Sequence, residues 1–450
     1  MLESHAKFRR VIWIVLDSVG IGALPDAGDY GDVGRTTLGH IAESRPLKIP
    51  TLVELGLANI APLAHLVPAA QPLGAYGKGA THSPGKDTTT GHWEMAGIWL
   101  DQAFPVYKHG FPPEIISAFE SRIGRKTIGN KPASGTEIIK ELGEEHVRTG
   151  KPIVYTSGDS VFQIATHEGV IPIADLFKMC EIAREILQGP HKVGRVIARP
   201  FTGAPGHFTR TPRRHDYAVE PPKPMLLDVL AEKNVSVFGV GKIHDIYNGR
   251  GVEQYVTTTS NSDGMEKITA ALRDRPTGLI FCNLVDFDML YGHRKDVEGF
   301  AKSLEEFDAQ LAQFLPLLTR DDLLMITADH GCDPDPRWET TDHSREYVPI
   351  LAFSPSFSVA QAIAPALRVA DFSAGTPGTP PLSIEADPHS QSAAGSVLNA
   401  SGPGSLSDHG YSVLIDRNLG TRSTLADMGQ TIANNFGGTI PHGSSFLDQL

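Results

Sequence analysis

Short apolar runs that end in a polar or charged residue recur along the chain. Runs this short, rich in β-branched residues and bounded by polar ones, are typical of strands that are buried on both faces of a parallel sheet. They predict five strands of one sheet. The runs span residues 11–16, 235–240, 279–285, 323–327 and 348–353.

Helical patterns lie between these runs, notably over residues 225–233 and 297–318. Alternating strands and helices predict an α/β fold whose core is a doubly wound, mostly parallel sheet. In such sheets ligands bind beyond the carboxyl ends of the strands. The residues at the predicted strand ends are Asp17, Asp286, Asp288, Asp329 and His330.

The stretch 104–218 has a different pattern, with two helix candidates and two shorter strand candidates. It predicts a smaller α+β domain, inserted between a first core part at 1–103 and a second at 219–450. Its basic residues gather between 195 and 214. The predicted helices span 112–122 and 174–187, and the predicted strands span 153–156 and 195–201.

Composition narrows the class of protein. The 450 residues carry a formal net charge of −12, which excludes nucleic-acid binding through bulk positive charge. The three cysteines are widely spaced, so neither a disulfide framework nor a thiolate zinc site is predicted. The apolar runs fall far short of the roughly 18 residues that a membrane span needs. We expect a soluble cytoplasmic protein without a nucleic-acid or membrane partner.

Near the end of the chain, residues 373–408 are rich in Ser, Pro, Gly, Thr and Ala. So few apolar side chains cannot offset the entropy of ordering the segment. We predict a disordered or loosely packed loop there, with a helix resuming over 423–436.

Three segments combine Asp and His as metal ligands do, at residues 286–293, 328–331 and 341–343. Carboxylate oxygens together with imidazole nitrogens suit Mn²⁺, Zn²⁺ or Fe²⁺, whereas an all-oxygen set favours Mg²⁺ or Ca²⁺. Because the first two segments fall at predicted strand ends, the sequence predicts a site for borderline divalent ions.

A second segment, Gly85-Lys86-Asp87-Thr88-Thr89-Thr90-Gly91-His92-Trp93-Glu94, holds a cluster of hydroxyls before a helix-like stretch. One interpretation places a threonine oxygen at a helix N-terminus, where amide hydrogens and the helix dipole favour anions. The other is structural, with a threonine N-cap and a capping-box glutamate. The two interpretations are compatible.

These segments, with Asp17-Ser18-Val19-Gly20-Ile21-Gly22, together resemble the prokaryotic phosphopentomutase family of alkaline phosphatase-like metalloenzymes. The resemblance covers nearly the whole chain, the inserted stretch included. It implies two Mn²⁺ ions bridged by a phosphorylated Thr88. One ion would be held by Asp17, Asp329 and His330, and the other by Asp288, His293 and His343.

The resemblance further implies an isomerase that interconverts α-D-ribose 1-phosphate and D-ribose 5-phosphate, or the 2-deoxyribose pair. Phospho-Thr88, primed by a sugar bisphosphate, would act through a bisphosphate intermediate. Arg195, Arg210 and Lys242 are the candidates for the non-reacting phosphate, and Asp159 for the sugar hydroxyls. The inserted domain would serve as a lid that excludes water.

Two alternatives stay open at this point. A metal-dependent phosphatase or another phosphosugar mutase of the same superfamily would use a similar pair of metals, whereas a silent scaffold would bind metal without turnover. A sulfatase would need Cys or Ser at the nucleophile, and no cysteine lies near Thr88. The sequence leaves the oligomeric state and the preferred pentose open.

Overall fold

The computed structural model describes residues 6–157, 160–357 and 417–450, which form one compact unit. Fourteen strands and twelve α-helices lie within these ranges. The strands are β1 (Arg10–Leu16), β2 (Ala75–Gly79), β3 (Ile128–Pro132), β4 (Ile153–Thr156), β5 (Val161–His167), β6 (Arg195–Thr202), β7 (Thr209–Arg210), β8 (His215–Ala218), β9 (Val237–Val240), β10 (Gln254–Val256), β11 (Gly278–Leu284), β12 (Asp322–Thr327), β13 (Val348–Phe353) and β14 (Asn418–Arg422). The helices are α1 (Thr37–Ser44), α2 (Pro50–Leu55), α3 (Leu57–Ile60), α4 (Thr88–Met95), α5 (Pro113–Ile123), α6 (Gly135–Thr149), α7 (Ile173–Ile186), α8 (Leu226–Glu232), α9 (Ile243–Ile246), α10 (Asn261–Asp274), α11 (Val297–Phe314) and α12 (Ala426–Asn435).

The larger sheet has eight strands in the order β10-β9-β11-β1-β12-β13-β2-β14. All pairs are parallel except β12 with β13 and β13 with β2. At its centre, Leu16 of β1 pairs with Leu284 of β11, and Val15 with Thr327 of β12. The carboxyl ends of three neighbouring strands therefore meet at one edge of the sheet.

The central strands β1, β11 and β12 are buried along their whole length. This burial explains their unbroken apolar runs, because helices pack against both faces of a parallel sheet. The helices α1, α2, α10 and α11 pack together as one group, and α4, α8, α9 and α12 as another. The predicted α/β class with a mostly parallel, doubly wound sheet is confirmed.

A second, six-stranded sheet is built from residues 128–218. Its strands follow the order β3-β4-β5-β6-β7, and β8 also pairs with β6. Parallel and antiparallel pairs are mixed. Helices α5 and α7 enclose one hydrophobic cluster, and α6 covers a smaller one that contains Ile153, Tyr155 and Phe201.

Most predicted elements are present with ends shifted by one or two residues, whereas several others were not predicted. Strand β2, with the sequence AYGKG, contains two glycines and so lacks a strand signal. Strand β5 and helix α6 were also not predicted. The proposed domain boundaries near 103 and 218 stay a prediction, while the predicted loop at 373–408 lies outside the described residues.

Within the described ranges, we find no helix that is long and apolar enough to cross a membrane. All three cysteines are buried, and none forms a disulfide.

Candidate active site

Three residues that follow the central strands converge beyond the ends of those strands. Asp17 comes directly after β1, and Asp329 and His330 follow β12. The Nε2 atom of His330 lies 3.4 Å from Asp17 Oδ1 and 3.5 Å from Asp329 Oδ2. All three side chains are buried. The parallel register of β1 and β12 therefore brings together residues that are more than 300 positions apart.

Local backbone geometry orients these carboxylates. Ser18 adopts a left-handed conformation with φ 70°, which is uncommon for a residue other than glycine. Its N–H donates to Asp329 Oδ1 at 3.1 Å. Asn283, near the end of β11, donates from Nδ2 to Asp17 Oδ2 at 3.0 Å. Each carboxylate thus has one oxygen fixed by the protein and the other turned toward His330.

Asp288, His293 and His343 form a second group. A π-helical turn over Phe287–Tyr291 follows β11 and carries Asp288, and such turns are frequent at functional sites. The Nε2 atoms of His293 and His343 each lie 3.3 Å from an oxygen of Asp288, and 3.1 Å from each other. The Nδ1 of His293 is 2.7 Å from the Thr341 carbonyl oxygen, which directs Nε2 into the group.

The two groups adjoin through stacked imidazoles, since the ring centroids of His330 and His343 are 4.0 Å apart. Potential ligand atoms of Asp17, Asp329 and His330 cluster within 4.8 Å, and so do those of Asp288, His330 and His343. A further cluster joins Asp288 and His293 to the thiol of Cys332, a residue that the sequence analysis did not include.

The pKa values of two buried carboxylates, Asp17 and Asp288, shift in opposite directions. Burial, with the neighbouring charges of Asp329 and Asp288, raises the pKa of Asp17 well above its ordinary value. Burial also acts to raise the pKa of Asp288, but the imidazoles of His343 and His293 outweigh it and lower that pKa. Burial lowers the pKa of His330, which favours a neutral ring with a free lone pair.

Divalent cations fit these residues. Three buried carboxylate oxygens, Asp17 Oδ1, Asp288 Oδ1 and Asp329 Oδ2, accept no well-aligned hydrogen bond within the described part of the chain and have imidazole nitrogens at 3.1–3.5 Å instead. Unpaired buried oxygens of this kind are costly unless a cation binds them. The donor set of carboxylate oxygens and imidazole nitrogens suits Mn²⁺, Zn²⁺ or Fe²⁺.

Thr88 is the first residue of α4, and its Oγ lies 3.2 Å from His330 Nε2. The structural interpretation of a threonine cap is wrong, because Asp87 is the N-cap and accepts from the Thr90 amide at 3.1 Å. The Thr88 hydroxyl thus faces His330, which belongs to two of the clusters of potential ligands.

Helix α4 packs directly on the loop after β12. A Cβ atom on Gly91 would overlap the carbonyl oxygen of Asp329, so only glycine permits this approach. The Nδ1 of His92 is 2.9 Å from the Thr88 carbonyl oxygen and 3.1 Å from Asp329 Oδ2. Glu94 is no capping-box residue; its buried carboxylate accepts from the amides of His82 and Ser83 at 2.7 Å.

The candidate phosphate-binding residues divide between two places. Lys242 follows β9 of the larger sheet, and desolvation together with the facing Arg195 lowers its pKa, while Asp17 acts in the opposite direction. Arg195 lies on β6 and pairs with Asp216 at 3.7 Å. Arg210 lies further along the second sheet, in a cavity of about 680 Å³ that Arg199 and Arg214 also line. Asp159 lies outside the described residues.

Sequence reasoning assigned no role to His92, Asn283, Ser18 or Cys332. His92 follows Thr88 by four positions, which places both on one helix face, and this spacing could have indicated a contact. Asn283 and Cys332 lie next to the Asp and His motifs, but their partners are set by strand register. The left-handed conformation of Ser18 has no sequence signal.

Comparison with known proteins identifies the superfamily of the chain. The model of the metalloenzyme superfamily matches residues 9–374. The chain is therefore a metalloenzyme of that class. A solved structure of phosphoglycerate mutase from Leishmania mexicana is 11% identical with a TM-score of 0.39, and the match covers 78% of this chain and 90% of that one.

Closer relatives specify the family. Phosphopentomutase of Desulfitobacterium hafniense is 51% identical over 444 residues, covering 98% of this chain and 100% of the relative. Phosphopentomutase of Caldanaerobacter subterraneus is 57% identical over 443 residues, covering 98% of each. The chain belongs to the phosphopentomutase family.

Proposed function

We propose that the chain interconverts α-D-ribose 1-phosphate and D-ribose 5-phosphate, or their 2-deoxy forms, through phosphorylated Thr88. The observation that carries the proposal is the position of the Thr88 hydroxyl, 3.2 Å from His330 Nε2 and at the N-terminus of α4. A hydroxyl at a helix N-terminus beside a metal site is suited to phosphoryl transfer.

Two Mn²⁺ ions are the proposed cofactors. Asp17, Asp329 and His330 would hold one, Asp288, His293 and His343 would hold the other, and the Thr88 hydroxyl would be a further ligand. When bound, the ions would neutralise three buried carboxylates and stabilise the charge on phosphoryl oxygens. The unpaired oxygens of these carboxylates support this ligand set.

The proposed reaction consists of two phosphoryl transfers, and both involve the Oγ atom of Thr88. Phospho-Thr88 gives its phosphoryl group to the free hydroxyl of the pentose monophosphate: the bond from phosphorus to Thr88 Oγ breaks, and a bond to the sugar oxygen forms. The proton of the sugar hydroxyl passes to Thr88 Oγ. The resulting bisphosphate then transfers its other phosphoryl group to Thr88 Oγ: the bond from that phosphorus to the second sugar oxygen breaks, and the Thr88 hydroxyl proton passes to that sugar oxygen. A sugar bisphosphate would prime the first cycle.

The residues proposed to hold the non-reacting phosphate are Arg195, Arg210 and Lys242, with Asp159 on the sugar hydroxyls. Guanidinium groups match phosphate oxygens in a fork geometry. The inserted domain, proposed at 104–218, would close as a lid and exclude water from phospho-Thr88. Three buried cysteines without disulfides support a reducing cytoplasm as its location.

The test follows phosphorus directly. Protein loaded with Mn²⁺ is incubated with ribose 1-phosphate and a trace of sugar bisphosphate, and products are resolved by ³¹P NMR. Ribose 5-phosphate without inorganic phosphate is the expected result; inorganic phosphate alone would establish a phosphatase instead. Thr88→Ala should abolish turnover, whereas Thr89→Ala, one residue further along, should retain it. Turnover by the Thr88→Ala protein would contradict the role of Thr88.

A further inference from the structure

One buried side chain holds the carbonyl oxygens of the loop before Thr88. The Nη1 atom of Arg345 donates to the carbonyl oxygens of Ser83 at 2.7 Å and Gly85 at 2.9 Å. Its Nη2 donates to the carbonyl oxygen of Thr81 at 2.9 Å. The same guanidinium bonds Asp26 from Nε and Nη2, at 3.2 and 2.9 Å. The loop cannot shift without breaking several charge-assisted hydrogen bonds.

Contacts around Arg345 complete this clamp. The hydroxyl of Tyr30 donates to the Pro84 carbonyl oxygen at 2.8 Å, and the guanidinium lies 4.9 Å from the Tyr30 ring centroid. Asp32 accepts from Lys86 Nζ at 2.8 Å and from the Arg345 amide at 2.9 Å. The loop is thus attached to Arg345 through its backbone and through a side chain.

Arg345 also belongs to the segment that carries a candidate metal ligand. It follows His343 by two residues, and the intervening Ser344 exchanges backbone hydrogen bonds with Gly331 at 2.8 and 3.3 Å. Gly331 in turn follows His330. One short segment therefore connects the loop before Thr88 to His343 and, through Gly331, to His330, whose Nε2 lies 3.2 Å from the Thr88 hydroxyl.

We propose that Arg345 is a positioning residue for phosphoryl transfer, fixing the loop over residues 81–87 so that Thr88 Oγ stays in register with His330 and His343. This inference rests on the proposed role of Thr88. Arg345 acts through the loop, since its own guanidinium is fully engaged by Asp26 and the carbonyl oxygens. Small misplacements of a reacting group cost on the order of 100-fold in rate.

The chain supplies a matched control in Arg10, at the opposite end of β1 from Asp17. Arg10 is equally buried, at 5% exposure against 3% for Arg345. It pairs with Asp322 at 2.7 and 2.8 Å and donates to the carbonyl oxygens of Leu272 and Arg275 at 2.7 and 2.8 Å. Substituting either arginine removes a similar set of bonds, but only Arg345 touches the loop.

The experiment compares Arg345→Lys with Arg10→Lys in the Mn²⁺-loaded protein. We expect Arg345→Lys to lower kcat about 100-fold with KM changed less than about threefold, and Arg10→Lys to leave both unchanged. Hydrogen exchange of amides 81–88 should speed up in Arg345→Lys alone. Chemical denaturation of both variants measures any shared loss of stability.

Equal kinetic effects of the two substitutions, or unchanged kcat and exchange in Arg345→Lys, would overturn the proposal. If Arg345→Lys does not fold, Tyr30→Phe removes only the bond to Pro84 and should lower kcat less, with the same faster exchange; unchanged exchange and kcat there would also overturn it. A wild-type protein without mutase turnover would instead refute the proposed function, while the exchange comparison would still test the clamp.

Discussion

The two sheets of this molecule carry an excess of charged residues of opposite sign. At the carboxyl edge of the larger sheet, Asp17, Asp288 and Asp329 each keep a buried oxygen that accepts no well-aligned hydrogen bond from the described residues and lies near imidazole nitrogens instead. In the second sheet, Arg214 pairs with Asp216 through two hydrogen bonds at 2.7 and 2.6 Å. The first edge holds an excess of negative charge, whereas in the second region the arginines outnumber the carboxylates that they pair with.

This difference in charge indicates whether each region is suited to a cation or to an anion. Unmatched buried carboxylates favour cations, and the protein bears the cost of burying them until a cation arrives. In the second sheet Arg210 has no carboxylate partner among the described residues, and it lines a cavity with Arg199. Arg199 bonds the neutral Gln163. Arg195 and Arg214 share the carboxylate of Asp216, so this region carries excess positive charge that favours an anionic group. Substitutions in either sheet test this difference.

The largest effect is expected from Asp288→Asn, set against Asp286→Asn. The two aspartates are similarly buried, at 8% and 6% exposure, but Asp286 accepts from the Asn261 amide at 2.7 Å and is thereby satisfied. Asp288→Asn should weaken Mn²⁺ binding by at least about 100-fold. Asp286→Asn should cost stability of about 1–3 kcal/mol and retain the metal.

Calorimetric titration with Mn²⁺ and chemical denaturation measure these two quantities. Equal losses of metal binding in both variants would mean that the unpaired oxygens do not mark the ligands.

A smaller effect is expected in the second sheet from Arg210→Ala. Removing the unpaired guanidinium should raise KM for the pentose phosphate about 10-fold, because a charge-assisted hydrogen bond contributes roughly 1.5–3 kcal/mol, and should leave Mn²⁺ binding intact. Arg213→Ala is the control, since Arg213 pairs with Glu168 at the surface and its loss should leave KM within about twofold. If steady-state kinetics give the same KM for the two variants, Arg210 is an ordinary surface charge.

The smallest effect concerns His146 of α6, which is buried under the second sheet. Its Nε2 accepts from the His167 amide at 2.8 Å and its Nδ1 lies 2.7 Å from the Lys151 carbonyl oxygen. Burial lowers the pKa of His146 below its ordinary value of 6.5. The unfolded chain therefore binds the proton more tightly, so this contribution to stability is complete above pH 6.5 and declines as pH falls toward the folded-state pKa.

His146→Gln can keep both hydrogen bonds without titrating. The free energy of unfolding, measured by chemical denaturation between pH 7.5 and 5.5, should fall less steeply in this variant than in the wild type. Identical slopes would show that His146 does not contribute to the pH dependence.

The sequence was sufficient for five of the eight strands of the larger sheet and for the positions of the acidic residues at their ends. Apolar runs such as that of β1 depend on burial from both faces, which is a local signal. The glycine-rich β2 carries no such signal, because its place is fixed by pairing with β13 and β14.

The candidate ligands were indicated by motif, but their grouping needed the register. His330 lies within reach of both acidic groups, and Cys332 joins Asp288 and His293. Neither fact follows from spacing along the chain, because both depend on how the loops after β11 and β12 cross. The clamp by Arg345 has the same origin, since its partners at residues 81–85 are more than 250 positions away.

The central position of β1 also determines the order in which the molecule can assemble. Strand β1 is made first, yet its neighbours β11 and β12 begin at residues 278 and 322. Closing such long loops is entropically expensive and makes folding slow. During synthesis, Asp17 leaves the ribosome some 300 residues before Asp329 and His330. The proposed metal ion can bind between these residues only after His330 has been synthesised, so cofactor loading must wait for ligands that are far apart in the chain.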